Sequence, residues 1–545
     1  MPECIEKRFQ IIGIIFFLFI FIINPFVLGE LSHHYFIFSL AFFVLGLCYY
    51  FEIFGLGKKV VAGFKYLESH NGWWLLIAQS IVFILYLLIN KNLLSYQLHA
   101  GWGDEPSYVG FDFSSWTSIL GNHRTAGLPV ILKIYHCAFK DLYFWPHIQM
   151  ICYILSILFL YGCFLRFGFN RILALFVVSM LLWDKANYQQ FLDIKTEPFT
   201  AIFLHLAIGS MLLAVRKWSW RKAIPLGIIV FFLYQVRPNF SFVPILIPLW
   251  AAGISLIHEG FNWVRIQKIL VRFSMFTIVP LLLFCLLRLA VVGQFGVVSM
   301  SGGCLSGHAV HYLNENNIQY LSGDVRKLAD EILARKRQLT PPNNLSPFEW
   351  IKTVSEPKKI EMQAMAFGPD LMTAWSVAIK QLKGVEPFDD PKKNIDPMEY
   401  SLPLSSFHAR YYNFETDRLL MKFSKEVLAR EWKRYLHWLV GGNFYGMRMY
   451  FESRSFWLTC LGLLGIAKLF YLLWAQGLDP ARLKRWHQDT GILTMIGASI
   501  FIFGFMPVMF FNFPFPRLLD LISIYMLPVF VCLALPPFWL KQKKV

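Results

Sequence analysis

The sequence predicts an all-α polytopic membrane protein with about twelve transmembrane helices. Of its 545 residues, 56% are hydrophobic and only 16% are charged. Soluble proteins usually carry about 25% charged residues, so this composition excludes a disordered chain, a fibrous protein and an ordinary soluble enzyme. Apolar runs such as 11–28 and 75–89 are long enough to cross a bilayer core of about 30 Å.

The basic residues predict how these helices are oriented. Lysine and arginine outnumber aspartate and glutamate by 51 to 34, and they lie in short clusters between apolar runs, such as Arg216 with Lys217. This placement follows the positive-inside rule, so the clusters indicate cytoplasmic loops rather than a nucleic-acid interface. With both termini in the cytoplasm, the predicted spans are 10–29, 35–56, 72–90, 146–165, 172–184, 196–215, 223–236, 239–257, 273–294, 456–474, 491–511 and 517–537.

These spans divide the chain into three parts. Residues 1–294 form an N-terminal transmembrane module that contains an outer loop at 91–145. Residues 295–455 form an extracytoplasmic, α-rich domain, and residues 456–545 form the C-terminal transmembrane helices.

The two non-membrane segments contain four predicted amphipathic helices. In the outer loop, 111–120 and 128–139 are predicted to lie at the membrane surface. In the later segment, 324–338 and 417–440 have helical periodicity. Prolines between those last two helices predict irregular loops.

Ionisable residues gather near the predicted outer ends of several spans, where such side chains are costly and usually functional. Transfer from a phosphate leaving group needs a carboxylate base beside arginines, because the base takes the acceptor's proton while the guanidiniums hold the phosphate. The sequence has no Walker A loop, GxGxxG or DxD motif, so neither nucleotide-sugar nor ATP-driven chemistry has support. The candidates are the carboxylates Asp104, Glu105 and Glu197 and the cations Arg124, Lys195, Arg237 and Arg517.

Every candidate except Lys195 also has a simpler interpretation. The acidic pair at 104–105 can form a solvated turn before proline, and Arg124 can be a cation that extends to the membrane interface. Glu197 can begin a helix that has proline in its first turn. Arg237 and Arg517 can be interface anchors.

A metal site has weaker support than the carboxylate and arginine set. His308 and His311 have an i, i+3 spacing that could bind a metal, but the sequence offers no third ligand. Ordinary loop histidines are the favoured interpretation, so no metal ligand is predicted and no cofactor is certain, although use of a divalent metal stays open.

Five motifs resemble those of the GT-C superfamily of polyprenyl-phosphate-sugar-dependent glycosyltransferases, above all the protein O-mannosyltransferases and the lipid A aminoarabinose transferases. They are DEPSY from Asp104, HRTAGLP containing Arg124, KTEPFTAIFLHLAIG containing Lys195 and Glu197, YQVRPNFSFVPI containing Arg237, and FPRLLDLISIYMLPVF containing Arg517. The resemblance covers about the first 260 residues and the last 30. It departs from the family in having Ala126 where proline is usual and two predicted spans before the outer loop where relatives generally have one.

The resemblance implies a role for each candidate. Asp104 would be the general base, and Glu105 would contact the acceptor or a metal. The three arginines would hold the lipid phosphate, whereas Lys195 and Glu197 would contact the sugar or the phosphate. A single displacement at the anomeric carbon would invert its configuration.

The expected function is therefore that of an integral membrane inverting glycosyltransferase with an extracytoplasmic active site. Its partners would be a polyprenyl-phosphate-linked sugar, a lipid, glycan or protein acceptor and the membrane itself, with no nucleic acid. A bacterial plasma membrane is favoured over the endoplasmic reticulum. A lipid-linked oligosaccharide ligase or polymerase stays open as an alternative, as does a transporter, although transporters place charge near the bilayer midplane.

Overall fold

The computed structural model describes residues 72–90, 104–183, 191, 193–339, 356–385, 408, 410–442, 485–511 and 525. Within these ranges the chain is helical and has no β-strand, apart from one isolated bridge between Asn122 and Asn413. The helices, in chain order, are α1 (Trp73–Asn90), α2 (Glu105–Val109), α3 (Trp116–Gly121), α4 (Gly127–Ala138), α5 (Trp145–Phe167), α6 (Arg171–Leu182), α7 (Glu197–Arg216), α8 (Trp220–Val236), α9 (Val243–Glu259), α10 (Trp263–Val292), α11 (Ser301–Tyr312), α12 (Glu315–Ile318), α13 (Gly323–Leu339), α14 (Glu356–Lys383), α15 (Phe414–Arg430), α16 (432–442) and α17 (Arg485–Phe511).

Five of the described helices are long and apolar enough to cross a membrane, which indicates a helical membrane protein. They are α5, α7, α9 with the 3₁₀ turn before it, α10, and the Gln488–Phe505 part of α17. Each coincides with a predicted span, although α10 begins ten residues earlier than the predicted 273–294.

The remaining predicted spans fall into two groups. Predicted spans 72–90, 172–184 and 223–236 form the shorter helices α1, α6 and α8. Predicted spans 10–29, 35–56, 456–474 and 517–537 lie outside the described residues, apart from Tyr525. The total of twelve spans therefore stays a prediction.

Helices α5 and α7 form the centre of the main hydrophobic core. Tyr153 and Ile157 on α5 and Leu204 and Ile208 on α7 are fully or almost fully buried in it. Gly209 permits the close approach of the two helices, because a Cβ at this position would lie 2.8 Å from the Phe159 ring. The core continues through α6, α8, α9 and α17, so these apolar helices pack as one bundle.

A second core lies in the later segment and is formed by α11, α13, α14, α15 and α16. Helix α13 confirms the predicted helix at 324–338. The predicted helix at 417–440 is instead two helices, α15 and α16, because the chain bends at Glu431. Helix α14 lies between the prolines that predict irregular loops, and those prolines lie outside the described residues. Its apolar side chains between Leu371 and Ile379 pack into this core.

Helix α11 was not predicted, and its presence corrects the interpretation of His308 and His311 as loop residues. The sequence SGGCLSGHAVHY is rich in glycine and serine, which are weak helix formers. Its N-terminus is capped from a distance, since the Asp417 carboxylate accepts hydrogen bonds from the backbone N–H groups of Gly302 (2.8 Å) and Gly303 (3.1 Å). Tertiary contacts therefore form this helix where local propensity does not.

Of the two helices predicted in the outer loop, the first is shorter than predicted and the second is confirmed. Only 116–120 of the predicted helix at 111–120 is helical, because the Ser115 hydroxyl caps α3 by accepting from the Ser118 backbone N–H. Helix α4 confirms the predicted helix at 128–139 to within one residue at each end.

Arg288 connects the loop, the bundle and the later segment. Its guanidinium, on α10, is almost completely buried. It donates to the carbonyl of Leu120 (2.8 Å), the carbonyl of Gly296 (2.8 Å) and the hydroxyl of Ser299 (2.6 Å). One side chain of the bundle therefore satisfies polar groups from the outer loop and from the start of the later segment.

Candidate functional site

A carboxylate and a guanidinium from two parts of the outer loop meet at one end of the helix bundle. Asp104 lies just before α2, and its carboxylate accepts a hydrogen bond from Arg124 Nη2. The Arg124 Nε atom donates to the Ser107 hydroxyl at 3.0 Å, and its guanidinium carbon lies 5.1 Å from the centroid of the Tyr108 ring. Since Ser107 and Tyr108 are on α2, the DEPSY segment both supplies the carboxylate and holds the arginine.

The Asp104–Arg124 pair is partly open to solvent. The Asp104 side chain is 33% exposed and that of Arg124 is 16% exposed. A substrate can reach such a pair without local unfolding. The interpretation of Arg124 as a freely extending interface cation is wrong, because Asp104 and the Ser107 and Tyr108 side chains of α2 fix its guanidinium.

A second pair, between Glu197 and Arg237, is sealed. Arg237 Nη1 lies 3.1 Å from Glu197 Oε1 and donates to the Thr196 hydroxyl at 2.9 Å. The two charged side chains are only 5% and 9% exposed. Glu197 is also the first residue of α7, where the helix dipole favours a negative charge. Each residue thus neutralises the other in a buried position.

Glu105 points away from its neighbour Asp104. Its buried carboxylate accepts a hydrogen bond from the backbone N–H of Ile194 at 3.1 Å. Gln149 on α5 holds the same segment by donating to the carbonyls of Phe191 (2.8 Å) and Asp193 (3.2 Å). These contacts connect the outer loop to the segment before α7 through Glu105. The interpretation of Glu105 as part of a solvated turn is therefore wrong.

Lys195 lies on that segment, and its ammonium contacts the Asp193 carboxylate. Both side chains are partly exposed, at 26% and 32%. Arg517 lies outside the described residues. The structure therefore gives the positions of all the predicted site residues except Arg517.

Gly127 brings the two pairs to the same end of the bundle. A Cβ at this position would lie 2.4 Å from the backbone carbonyl of Gln235, so α4 begins in direct contact with the last turn of α8. Arg237 follows that turn, and Arg124 lies three residues before Gly127. Sequence reasoning did not single out Gly127, although a glycine at the start of a helix within HRTAGLP is the signal that could have identified it.

His123 was also overlooked, and it connects the site to the later segment. Its imidazole is buried, donates to the backbone carbonyl of Tyr412 and lies 5.4 Å from the Tyr412 ring, measured between centroids. Burial, assisted by the charge of Arg124, lowers the pKa of His123 to about 3. This residue is therefore a neutral packing group beside Arg124.

A resident metal has no cluster of ligands among the described residues, where no three histidine, cysteine, aspartate or glutamate side chains come together. His308 packs against Trp438, with the ring centroids 5.5 Å apart. His311 Nδ1 lies 3.9 Å from Asp370 Oδ2, and Lys336 Nζ lies 3.5 Å from Asp370 Oδ1. The two histidines with metal-ligand spacing thus pack beside the second core.

The site combines an accessible carboxylate that can take a proton with an adjacent guanidinium that can hold an anion. Its supporting contacts come from α2, α5, α7 and α8. Comparison of the chain with protein-family models, curated proteins and solved structures gives no match in any of the three.

Proposed function

We propose that this protein is an integral membrane inverting glycosyltransferase that moves a sugar from a polyprenyl-phosphate donor to an acceptor on the extracytoplasmic side. The observation that carries the proposal is the partly exposed Asp104–Arg124 pair at one end of a bundle of apolar helices. A lipid-linked donor suits this position, because its tail stays in the hydrocarbon layer while its sugar-phosphate reaches the polar end of the bundle.

The reaction is a single displacement. Asp104 takes the proton of an acceptor hydroxyl, and the acceptor oxygen forms a bond to the anomeric carbon from the face opposite the phosphate. The bond between the anomeric carbon and the phosphate oxygen breaks, and polyprenyl phosphate leaves with the electron pair. The configuration at the anomeric carbon is inverted, and Asp104 later releases its proton to water.

Arg124 connects donor binding to the availability of the Asp104 carboxylate. The donor phosphate and the Asp104 carboxylate compete for the same guanidinium, which prefers oxyanions in fork geometry. A carboxylate that is released by a guanidinium has an oxygen lone pair available for the hydroxyl of the acceptor. Donor binding therefore prepares Asp104 to accept the proton.

The Glu197–Arg237 pair positions the wall of this site rather than contacting the donor. Both side chains are buried and satisfy one another, so a phosphate could bind Arg237 only by leaving the Glu197 carboxylate buried without its partner. Lys195 is partly exposed and is the better second cation for the phosphate. Arg517 keeps its proposed role as a phosphate contact from its motif alone.

The distribution of basic residues supports an extracytoplasmic site. Arg166 lies in the last turn of α5, Arg216 ends α7 and Arg265 lies in the first turn of α10. All three are at the helix ends opposite to Asp104, and by the positive-inside rule that side is cytoplasmic. The carboxylate and its arginine then face the other side of the membrane.

The test measures release of polyprenyl phosphate by the purified protein in nanodiscs from a panel of radiolabelled polyprenyl-phosphate sugars. Asp104→Asn keeps the size of the side chain and removes its basicity, so release should fall about 10²–10⁴-fold. Asp141→Asn is the matched control, because Asp141 is an exposed aspartate of the same loop whose carboxylate only accepts from the Tyr143 backbone N–H. Release by this control should equal that of the wild type.

Two results would count against the proposal. Equal release by Asp104→Asn and wild type would remove Asp104 as the base. Absence of release from every donor, with and without membrane lipids and glycans as acceptors, would favour the lipid-linked oligosaccharide ligase.

A further inference from the structure

A cleft of about 670 Å³ lies between the outer loop and the later segment. One wall is formed by α2, α3 and the residues after α3, and the other by the end of α14 and residues 410–414. The walls meet at the isolated bridge between Asn122 and Asn413. The volume is in the range of small-ligand sites, which is about 300–1,000 Å³.

This cleft is adjacent to the Asp104–Arg124 pair. Pro106, which lines it, is two residues beyond Asp104. Asn122 lines it as well, and its side-chain carbonyl accepts a hydrogen bond from the Arg124 backbone N–H at 2.9 Å. A molecule in the cleft can therefore place one of its groups near the Asp104 carboxylate.

Most polar groups of the cleft are uncharged and can both donate and accept hydrogen bonds. They are the hydroxyls of Thr117 and Ser118 and the amide of Asn122. Such groups match the hydroxyls of a sugar, each of which is also a donor and an acceptor. The Asn413 side chain also lines the cleft, but it caps α15 by accepting from the backbone N–H groups of Glu415 and Thr416. Tyr411 adds an aromatic ring, which can pack against the C–H face of a pyranose.

The charges around the cleft balance. The ammonium of Lys383 contacts the Glu415 carboxylate, and the positive Arg410 on one wall is matched by the negative Asp112 on the other. Arg410 is also placed 5.5 Å from the Tyr411 ring centroid. A cleft without net charge gives no electrostatic preference for a phosphate or a carboxylate.

We propose that this cleft binds a neutral saccharide portion of the acceptor. That the saccharide belongs to the acceptor rests on the proposed transferase function. That the cleft binds a neutral saccharide rests on the cleft residues alone. Contact with α14 and 410–414 places the saccharide against the later segment, away from the apolar helices that would hold a polyprenyl tail.

The experiment is a saturation-transfer NMR titration of the full chain in nanodiscs without donor. The neutral probes are maltotriose, mannotriose and chitotriose, and the charged probes are trigalacturonate and inorganic phosphate. At least one neutral trisaccharide should bind, and Tyr411→Ala should weaken that binding about tenfold, equivalent to about 1.4 kcal/mol.

The chain offers a matched control for that variant. Tyr320 is an exposed tyrosine of the same segment with Arg430 over its ring at 4.7 Å, and it lies outside the cleft. Tyr320→Ala should leave the affinity unchanged. Thr117→Trp fills the cleft from an exposed position on the opposite wall, so it should abolish binding even if Tyr411→Ala disturbs the local fold.

Each outcome decides the inference. Binding of the charged probes in preference to all neutral ones overturns the neutral class, and absence of neutral binding up to about 10 mM overturns the site. Equal weakening by Tyr411→Ala and Tyr320→Ala places the saccharide elsewhere. Neutral binding that depends on Tyr411, together with no Asp104-dependent release from any donor, keeps the saccharide site and rejects the transferase, so the two failures are distinguishable.

Discussion

The two carboxylate–guanidinium pairs differ in how far water reaches them, and this difference separates their roles. Removal of one partner from a buried pair leaves an uncompensated charge and costs about 3–5 kcal/mol. A partly exposed pair contributes about 1 kcal/mol or less. Separation of the Glu197–Arg237 pair is therefore costly, whereas Asp104 and Arg124 can exchange partners at small cost.

Acidification should destabilise the protein through His123. The pKa of this buried imidazole is about 3, whereas an unfolded histidine has a pKa near 6.5. Only the unfolded state binds a proton between these values, so the free energy of unfolding falls as the pH drops from about 6.5 toward 3, by up to about 1.4 kcal/mol per pH unit. His123→Gln should reduce this slope by the contribution of about one proton taken up on unfolding, measured by chaotrope unfolding between about pH 7.5 and 5.

The slope should diminish without vanishing, because burial also lowers the pKa of His311 and of His408 to about 3. Glutamine can still donate to the Tyr412 carbonyl, so the variant retains that contact. His136→Gln is the matched control, since His136 is an exposed histidine of the same loop. Identical slopes for wild type and His123→Gln would contradict the assignment of His123 as a buried neutral group.

Site residues could be predicted from the sequence where they belong to a recognisable motif. DEPSY and HRTAGLP identified Asp104 and Arg124, which the structure brings together. Periodicity and spacing did not predict that Glu105 would turn inward or that His123 would be buried against the later segment. Both depend on contacts with residues about 90 or more positions away.

At the scale of elements, apolar length predicted the membrane helices and failed where tertiary contacts override local preference. Helix α14 contains the pair Gly368 and Pro369, which in a sequence is a turn signal. Helix α11 has three glycines, and its capping aspartate is 115 residues away. Neither helix could be predicted without knowledge of the core they share.

Gly127→Ala should destabilise the site through a clash between helices. The new Cβ would lie 2.4 Å from the backbone carbonyl of Gln235, which cannot move as a flexible side chain could. We expect a loss of about 1–3 kcal/mol or more, measured by thermal unfolding in detergent.

Gly323→Ala is the matched control for that substitution, because Gly323 also begins a helix and a Cβ there meets nothing within 4 Å. This variant should be neutral or stabilised by up to about 1 kcal/mol. Equal unfolding temperatures for Gly127→Ala and wild type would contradict the close contact between α4 and α8.

At the scale of the whole molecule, two cores meet around the candidate site. The sequence predicted a membrane module and a later segment. Among the described residues, the main hydrophobic core and a small cluster of Tyr234, Leu281 and Cys285 lie in the membrane helices, and the second core lies in the later segment. In the described part of the chain, the polar contacts between the module and the later segment include Arg288, the Asn122–Asn413 bridge and His123. Hydropathy cannot predict such contacts, because none of them is part of an apolar pattern.

Arg288→Met should loosen the connection between these cores. The variant leaves the Leu120 and Gly296 carbonyls without the Arg288 donor, whereas the Ser299 hydroxyl keeps its bond to Gln294. Each buried unsatisfied group costs about 1–3 kcal/mol. Hydrogen exchange of the amides in 116–122 and 293–300 should accelerate about tenfold or more, measured by mass spectrometry.

Arg272→Met is the matched control on the same helix, since Arg272 is exposed and lies over the Trp218 ring at 5.5 Å. Its exchange in those two segments should equal that of the wild type. Equal exchange in the Arg288→Met and Arg272→Met proteins would show that the guanidinium does not connect the cores.

The cap of α11 sets an order of events during synthesis. Asp417 is translated 115 residues after Gly302, and at about 5–20 residues per second this delay is roughly 6–23 s. Throughout that interval the glycine-rich segment has emerged without the carboxylate that its first turn requires. The second core therefore closes only after translation has passed Asp417, and a chain that ends before this residue leaves the later segment without its first helix.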